Sequence, residues 1–183
     1  MTPGSSRKRP DTGDRRGLDS SESTEPFETF AAFAHRLKLR LGGPLPGPDL
    51  QARMAPPHRE SMDVDRARTR PHKEGAVLIL LYPSAGEVAT LFTVRKAELR
   101  HHGGQVSFPG GRRELGESLE MTAIREAEEE AGIDRTRIEV LGSLTPLFIP
   151  PSQFIVHPFV AVANASPEFR IEEREVERIL KVP

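Results

Sequence analysis

The hydrophobic positions change their period several times along the chain, and each change predicts an element. Residues 1 to 26 hold almost no large apolar side chains beyond Met1 and Leu18. They mix Ser, Pro, Gly and both charge signs, which predicts a disordered tail. From about Glu25 to Leu41 the residues Phe27, Phe30, Phe33, Ala34, Leu37 and Leu41 recur at helical spacing. That pattern predicts an amphipathic helix packed on the domain or on a partner. The stretch up to residue 72 is rich in Pro and basic residues and reads as a linker or irregular surface arm. Residues 27–72 are therefore expected to form a helix plus an arm, and residues 73–183 the folded domain. Within that domain, Ala76 to Tyr82 and Val88 to Arg95 are apolar runs separated by a Pro83–Gly86 turn, and they predict two strands. Val106 to Phe108, Ile138 to Leu144 and Phe154 to Val162 predict three more. Gly142 interrupts the second of these, and Pro158 suggests an edge position or a bulge for the third. One helix is expected from Ser118 to Ala131. Ile171 to Leu180 mixes charged and apolar residues and receives no element. Strands with a helix embedded among them indicate an α/β fold with a mixed sheet.

Composition narrows the function classes. A length of 183 residues allows one domain plus a tail, and the net charge of −1 gives no reason to expect nucleic acid or an acidic membrane as partner. Cys is 0, which excludes disulfides, thiolate metal sites and cysteine nucleophiles. No run approaches the roughly 18 apolar residues of a membrane-spanning helix. The N-terminus shows no apolar leader, so a cytoplasmic location is the default expectation. A homodimer is left open.

The predicted helix carries an arrangement that local stability does not favour. At about 100° per residue, Glu126, Glu129 and Glu130 share one face, close to Gly132, the expected helix end. Like charges repel at this spacing, and the helix dipole disfavours anions at a C-terminus. Hard divalent cations, which take oxygen ligands, would offset both effects. Ala127, Ala131 and Ile124 fall on the other side, where they can face a core. Glu128 also points away from Glu126 and is not a ligand candidate.

The stretch from Gly111 to Ile133 resembles the Nudix box. Gly111 is followed at the matching spacings by Glu117, Arg125-Glu126, Ala127, Glu129-Glu130, Gly132 and Ile133, with a small residue, Ala127, in an apolar slot. The resemblance implies a Nudix-type α/β/α sandwich in which the box forms a loop–helix–loop. It implies Mg²⁺ or Mn²⁺ held by Glu126, Glu129, Glu130 and the Gly111 carbonyl, and a Glu117–Arg125 pair that holds the box together. Capping of the helix is a second role expected of Glu117, compatible with the first. Upstream, residues 91 to 111 resemble the signature that accompanies the box in coenzyme A diphosphatases. Leu91, Thr93, Arg95, Arg100, Gly104 and Phe108-Pro109-Gly110-Gly111 match it, while Phe92 and Lys96 depart from it.

Arginine suits phosphate oxygens because its charge is permanent and its donors are forked. Arg95 and Arg100 are thus expected to contact a nucleotide substrate, and His101 and His102 can add donors near neutral pH. Gly104 and the other glycines let the backbone come close to a ligand. The implied reaction is hydrolysis of the diphosphate of coenzyme A or its derivatives to 3′,5′-ADP and 4′-phosphopantetheine. Other Nudix substrates such as ADP-ribose or NADH, and a non-catalytic binding protein, are the alternatives. The general base is left between Glu126 and an acid of the later run Glu172, Glu173, Glu175 and Glu177. Glu175 is the preferred additional metal ligand. The resemblance also places Pro183 at an interior point of the family domain, so a short variant or an incomplete sequence is expected.

Overall fold

The computed structural model describes residues 29–53, 64–98 and 103–183. The expected tail, Phe27, and the segment with Arg100, His101 and His102 lie outside the described residues. The elements run α1 (Phe30–Leu41), α2 (Pro48–Arg53), α3 (Val64–Arg68), β1 (Lys73–Ser84), β2 (Glu87–Arg95), β3 (Val106–Ser107), β4 (Gly110–Arg112), α4 (Leu119–Ala131), β5 (Ile138–Ser143), β6 (Leu147–Ile149), β7 (Phe154–Ala163) and β8 (Val176–Val182). A turn of 3₁₀ helix at Arg135–Arg137 links α4 to β5.

The strands form a mixed sheet in the order β3-β2-β1-β7-β5, with helices packed around it. β1 and β7 run parallel, from Lys73 opposite Phe154 to Leu81 opposite Val162, and every other pairing is antiparallel. β4 pairs with the first half of β1 and β8 with β2; β6 extends beside β7. The parallel pair lies at the centre, as expected for strands buried on both faces.

Alternation along β1 decides which face receives α4. Ala76, Leu78, Leu80 and Tyr82 are buried and meet Ala123, Ala127 and Ala131 of α4. These three alanines stand four residues apart on one stripe, and their small side chains let the helix lie close against the sheet. The small residue at 127 is thus a packing choice. Ile124 is only half-buried, and Ala123 takes the core position expected of it. The Ser118 hydroxyl caps the helix by accepting from the Met121 N–H at 3.1 Å, and Gly132 ends it with φ 66°. Capping therefore falls to Ser118 rather than to Glu117.

Three expectations need correction. Pro158 lies on a central strand, not on an edge. Its carbonyl accepts from the Leu144 N–H at 2.8 Å, between the β5 and β6 ladders. A residue's N–H and C=O point to the same side of an extended strand, so the missing N–H of proline falls in that gap. The bulge of this ladder sits instead on β5, between Val140 and Gly142. The arm contains two short helices, α2 and α3, with Ala67 buried. The acidic-apolar C-terminal stretch pairs with β2 as β8.

α1 packs against β5. Its predicted stripe of Phe30, Phe33, Ala34, Leu37 and Leu41 is half-buried, while the rest of the helix is exposed. Gly142 permits the contact: a Cβ there would stand 3.0 Å from the Leu41 Cβ.

Candidate active site

The acidic face of α4 points at the β4 strand, and two arginines interleave its carboxylates. Arg125 stands at the centre of the first group. Its Nε donates to Glu117 Oε1 at 2.9 Å, its Nη2 to Glu117 Oε2 at 3.2 Å and to the Arg112 carbonyl at 3.2 Å, and its Nη1 to Glu126 and Glu129, both at 2.9 Å. Glu117 also accepts from the Thr122 hydroxyl at 2.8 Å. The hydrogen bond from Arg125, above all, holds the Glu117 carboxyl down at about 2. The same bond raises the Arg125 guanidinium, so this pair is charged at any ordinary pH.

Glu130 is the buried member of the second group. Its side chain is only 6% exposed. It accepts from the Gly110 N–H at 3.3 Å, the Thr93 hydroxyl at 3.4 Å and Arg95 Nη1 at 3.3 Å. Burial pushes its carboxyl up to about 7, against the pull of Gly110 and Arg95. Burial likewise raises Glu126, against Arg125, and neighbouring Glu129 and Glu175 add repulsion. Glu175 reaches the group from the turn before β8. Arg95 Nη2 donates to it at 3.3 Å, and the Glu175 carbonyl accepts from the Lys96 N–H at 3.0 Å. Glu128 turns away and pairs with Arg135 Nε at 2.8 Å.

Glycine at 110 is a steric requirement of the backbone, and glycine at 111 leaves room for the Glu126 carboxylate. A Cβ on Gly111 would lie within 2.6 Å of Glu126 Oε2, and one on Gly110 would lie 2.7 Å from the Val77 Cα. Gly111 itself stands opposite Ala76 in the β1–β4 ladder. Gly104 adopts φ 73° and closes the turn after β2, its N–H donating to the Arg95 carbonyl at 2.9 Å. This bond anchors the Arg95 backbone.

The structure therefore gathers Glu117, Arg125, Glu126, Glu129, Glu130, Arg95, Glu175 and Gly111 around one corner of the sheet. The expectation for Arg100 falls outside the described residues. Sequence reasoning did not single out Thr93 or the Gly110 N–H as partners of Glu130. Thr93 stands in the upstream signature, so a signal existed. An open cleft of about 370 Å³ lies beside this corner, lined among others by Arg95, Phe108, Gly110, Gly111, Ile149 and Phe154. The two latter residues arrive through β6 and β7 and carried no sequence signal. A larger cleft of about 670 Å³ lies beyond the C-terminal cap of α4, around Gly132, Arg137 and Arg170. It contains none of the residues just described, so the smaller cleft is the candidate site.

The carboxylate oxygens of Glu126, Glu129, Glu130 and Glu175 suit a hard divalent cation in kind. Among the described residues, no three acidic or imidazole side chains are grouped to hold a metal ion as they stand. Instead Glu126, Glu129, Glu130 and Glu175 each pair with an arginine.

Residues 72–182 match the family model described as NUDIX domain. The chain belongs to the Nudix family. It is 38% identical over 120 residues to the peroxisomal coenzyme A diphosphatase ndx-8 of Caenorhabditis elegans, covering 63% of this chain and 51% of that protein. It is 40% identical over 114 residues to an uncharacterized Nudix hydrolase NudL of Pectobacterium atrosepticum, covering 61% and 57%. The chain thus spans about half the length of these curated relatives. Among solved structures it resembles the Nudix hydrolase RenU of M. smegmatis, with TM-score 0.52, 27% identity, and 61% and 70% of the two chains covered. The Nudix domain of Shewanella oneidensis NrtR, solved with ADP ribose, shares the fold at TM-score 0.51 and 18% identity, with 66% and 79% covered. No helix among the described residues is long and apolar enough to cross a membrane.

Proposed function

We propose that this Nudix chain hydrolyses the diphosphate of coenzyme A or a derivative, releasing 3′,5′-ADP and 4′-phosphopantetheine. The observation that carries the reading is the position of Glu130 and Glu126. They close on the Gly110–Gly111 backbone beside a cleft that also holds Arg95. The upstream signature from Leu91 to Gly111, and the likeness to the worm protein, favour a coenzyme A-type substrate over ADP-ribose or NADH.

Glu126, Glu129, Glu130 and Glu175, with the Gly111 carbonyl, would hold Mg²⁺ or Mn²⁺. Such ions supply neutralisation of the diphosphate charge and activation of the attacking water. Arg125 orients Glu126 and Glu129 while anchored on Glu117. Arg95 binds a phosphate oxygen. We assign the general base to Glu126, which is central to the acidic cluster. Glu175 is the rival. Apolar Phe108, Ile149 and Phe154 line the rest of the cleft and suit the uncharged part of the substrate. The cytoplasmic location belongs to this proposal.

The test is incubation with coenzyme A and Mg²⁺ or Mn²⁺, with products identified by mass. Formation of 3′,5′-ADP and 4′-phosphopantetheine supports the reading. A wide preference for ADP-ribose or NADH in kcat/KM replaces the substrate, and no turnover on any member of the panel favours a non-catalytic binding role.

A further inference from the structure

Arg95 bonds one oxygen on each of two carboxylates to which a cation would be drawn. Its two terminal nitrogens reach two acids from different elements, Glu130 on α4 and Glu175 before β8, each at 3.3 Å. These contacts are longer than the roughly 2.7–2.9 Å of a well-formed charged hydrogen bond, so they hold loosely. The Arg125–Glu117 pair, by contrast, is doubly bonded from 2.9 Å. The Arg95 backbone is fixed on both sides, its N–H donating to the Gln105 carbonyl at 3.0 Å and its carbonyl accepting from Gly104. Only the side chain is free to turn. That side chain also lines the cleft.

A guanidinium and a divalent cation compete for the same two carboxylates, because each repels the other at contact distance. We propose that Arg95 is an exchangeable counter-ion. It holds Glu130 and Glu175 in the metal-free protein, and it turns to an anion in the cleft when those carboxylates take a divalent ion. The proposal rests on the ligand roles given to Glu130 and Glu175 above. Metal and substrate phosphate then bind cooperatively, since occupation of the acids by the ion releases the arginine for the anion. An arginine serving the substrate alone would leave metal affinity untouched.

The experiment is calorimetric titration of the nucleotide-free full chain with Mn²⁺ at pH 8.5. Arg95→Met should bind Mn²⁺ about 5- to 10-fold more tightly than the unmodified chain, the scale of losing two competing ion pairs. It should also bind ADP more weakly in the presence of Mn²⁺. Lys96→Met removes a neighbouring positive charge but no ion pair described above, and should change Mn²⁺ affinity less than about 2-fold. Arg95→Lys keeps the charge yet cannot span both acids, so it should fall between the unmodified chain and Arg95→Met. This folded, charge-retaining variant keeps the test open if the methionine variant does not fold. Unchanged or weaker Mn²⁺ binding in both Arg95 variants overturns the exchange while leaving the metal site standing. An equal gain in Lys96→Met overturns it too, by showing a general field effect. If the unmodified chain and all variants bind no Mn²⁺, the metal site fails and the exchange with it.

Discussion

Glu117 and Arg125 are joined by two hydrogen bonds, Nε to Oε1 at 2.9 Å and Nη2 to Oε2 at 3.2 Å, across eight residues from loop to helix. The remaining Arg125 nitrogen reaches Glu126 and Glu129. One guanidinium therefore sets the geometry of three acids. Arg125→Lys offers three donors from a single point and cannot reproduce the fork. It should cost about 1–3 kcal/mol of stability and most of the turnover. Thermal unfolding and a coenzyme A assay check both, and unchanged values in each would remove the centre of the proposed arrangement.

The same pair predicts acid behaviour. Glu117 is held at about 2 in the folded protein against an ordinary 4.5. A depressed carboxyl contributes stability above its unfolded value and loses it as pH falls through the folded one. Glu117→Gln should thus be less stable than the unmodified chain at pH 7, with the difference shrinking between pH 4.5 and 2. Urea unfolding across that range measures it; a difference that stays constant to pH 2 contradicts a charge-based pair.

Glu130 predicts the opposite slope. Its carboxyl is raised to about 7, chiefly by burial. The folded chain binds an extra proton between pH 4.5 and 7, so metal-free stability falls as pH rises through that window and stays lower above it. In EDTA, Glu130→Gln should match the unmodified chain near pH 4.5 and exceed it at pH 8 by on the order of 2 kcal/mol. It should lose metal-dependent turnover at every pH. Melting curves at the two pH values decide the point, and an unchanged difference between them argues against a buried charge.

Glu129 separates ligand chemistry from stability. Its side chain is 58% exposed and, among the described residues, is held by Arg125. Glu129→Gln should alter stability by less than about 1 kcal/mol while removing most activity. Near-normal turnover at limiting Mg²⁺ would exclude it as a ligand.

Gly110 and Gly111 should respond differently to alanine. At Gly110 the new methyl would collide with backbone, the Ala76 carbonyl and the Val77 Cα, and neither can move away without disturbing β1. Gly110→Ala should destabilise by about 3 kcal/mol or more. At Gly111 the methyl meets the end of the Glu126 side chain, which can rotate away. Gly111→Ala should fold and lose activity. Equal melting temperatures for the two variants would contradict this division.

Local chemistry made much of the chain legible before any fold was known. The period-2 and apolar runs at 76–82 and 88–95 became β1 and β2, because alternation follows directly from the pleat of a strand. The helical spacing of Glu126, Glu129 and Glu130, with glycine at its end, became the acidic face of α4 with Gly132 as left-handed cap. Glu117, Arg125 and Arg95 were named through the resemblance to the Nudix box and its upstream signature, and all three meet the acidic face. What remained hidden depended on distant partners. Gly110–Arg112 and Leu147–Ile149 are three-residue strands, too short for a periodic pattern, and exist only because β1 and β7 offer free ladder groups. Pro158 resembles an edge residue until its neighbours show that its missing N–H falls between two ladders. Only the fold decided that Glu130 is buried and Glu129 exposed, although they are adjacent in sequence. Burial is a property of everything packed around a side chain, and so is the rise in the Glu130 carboxyl that follows from it. Only the fold brought Glu175 to Arg95 across 80 residues, since β8 must pair with β2 before the two can meet.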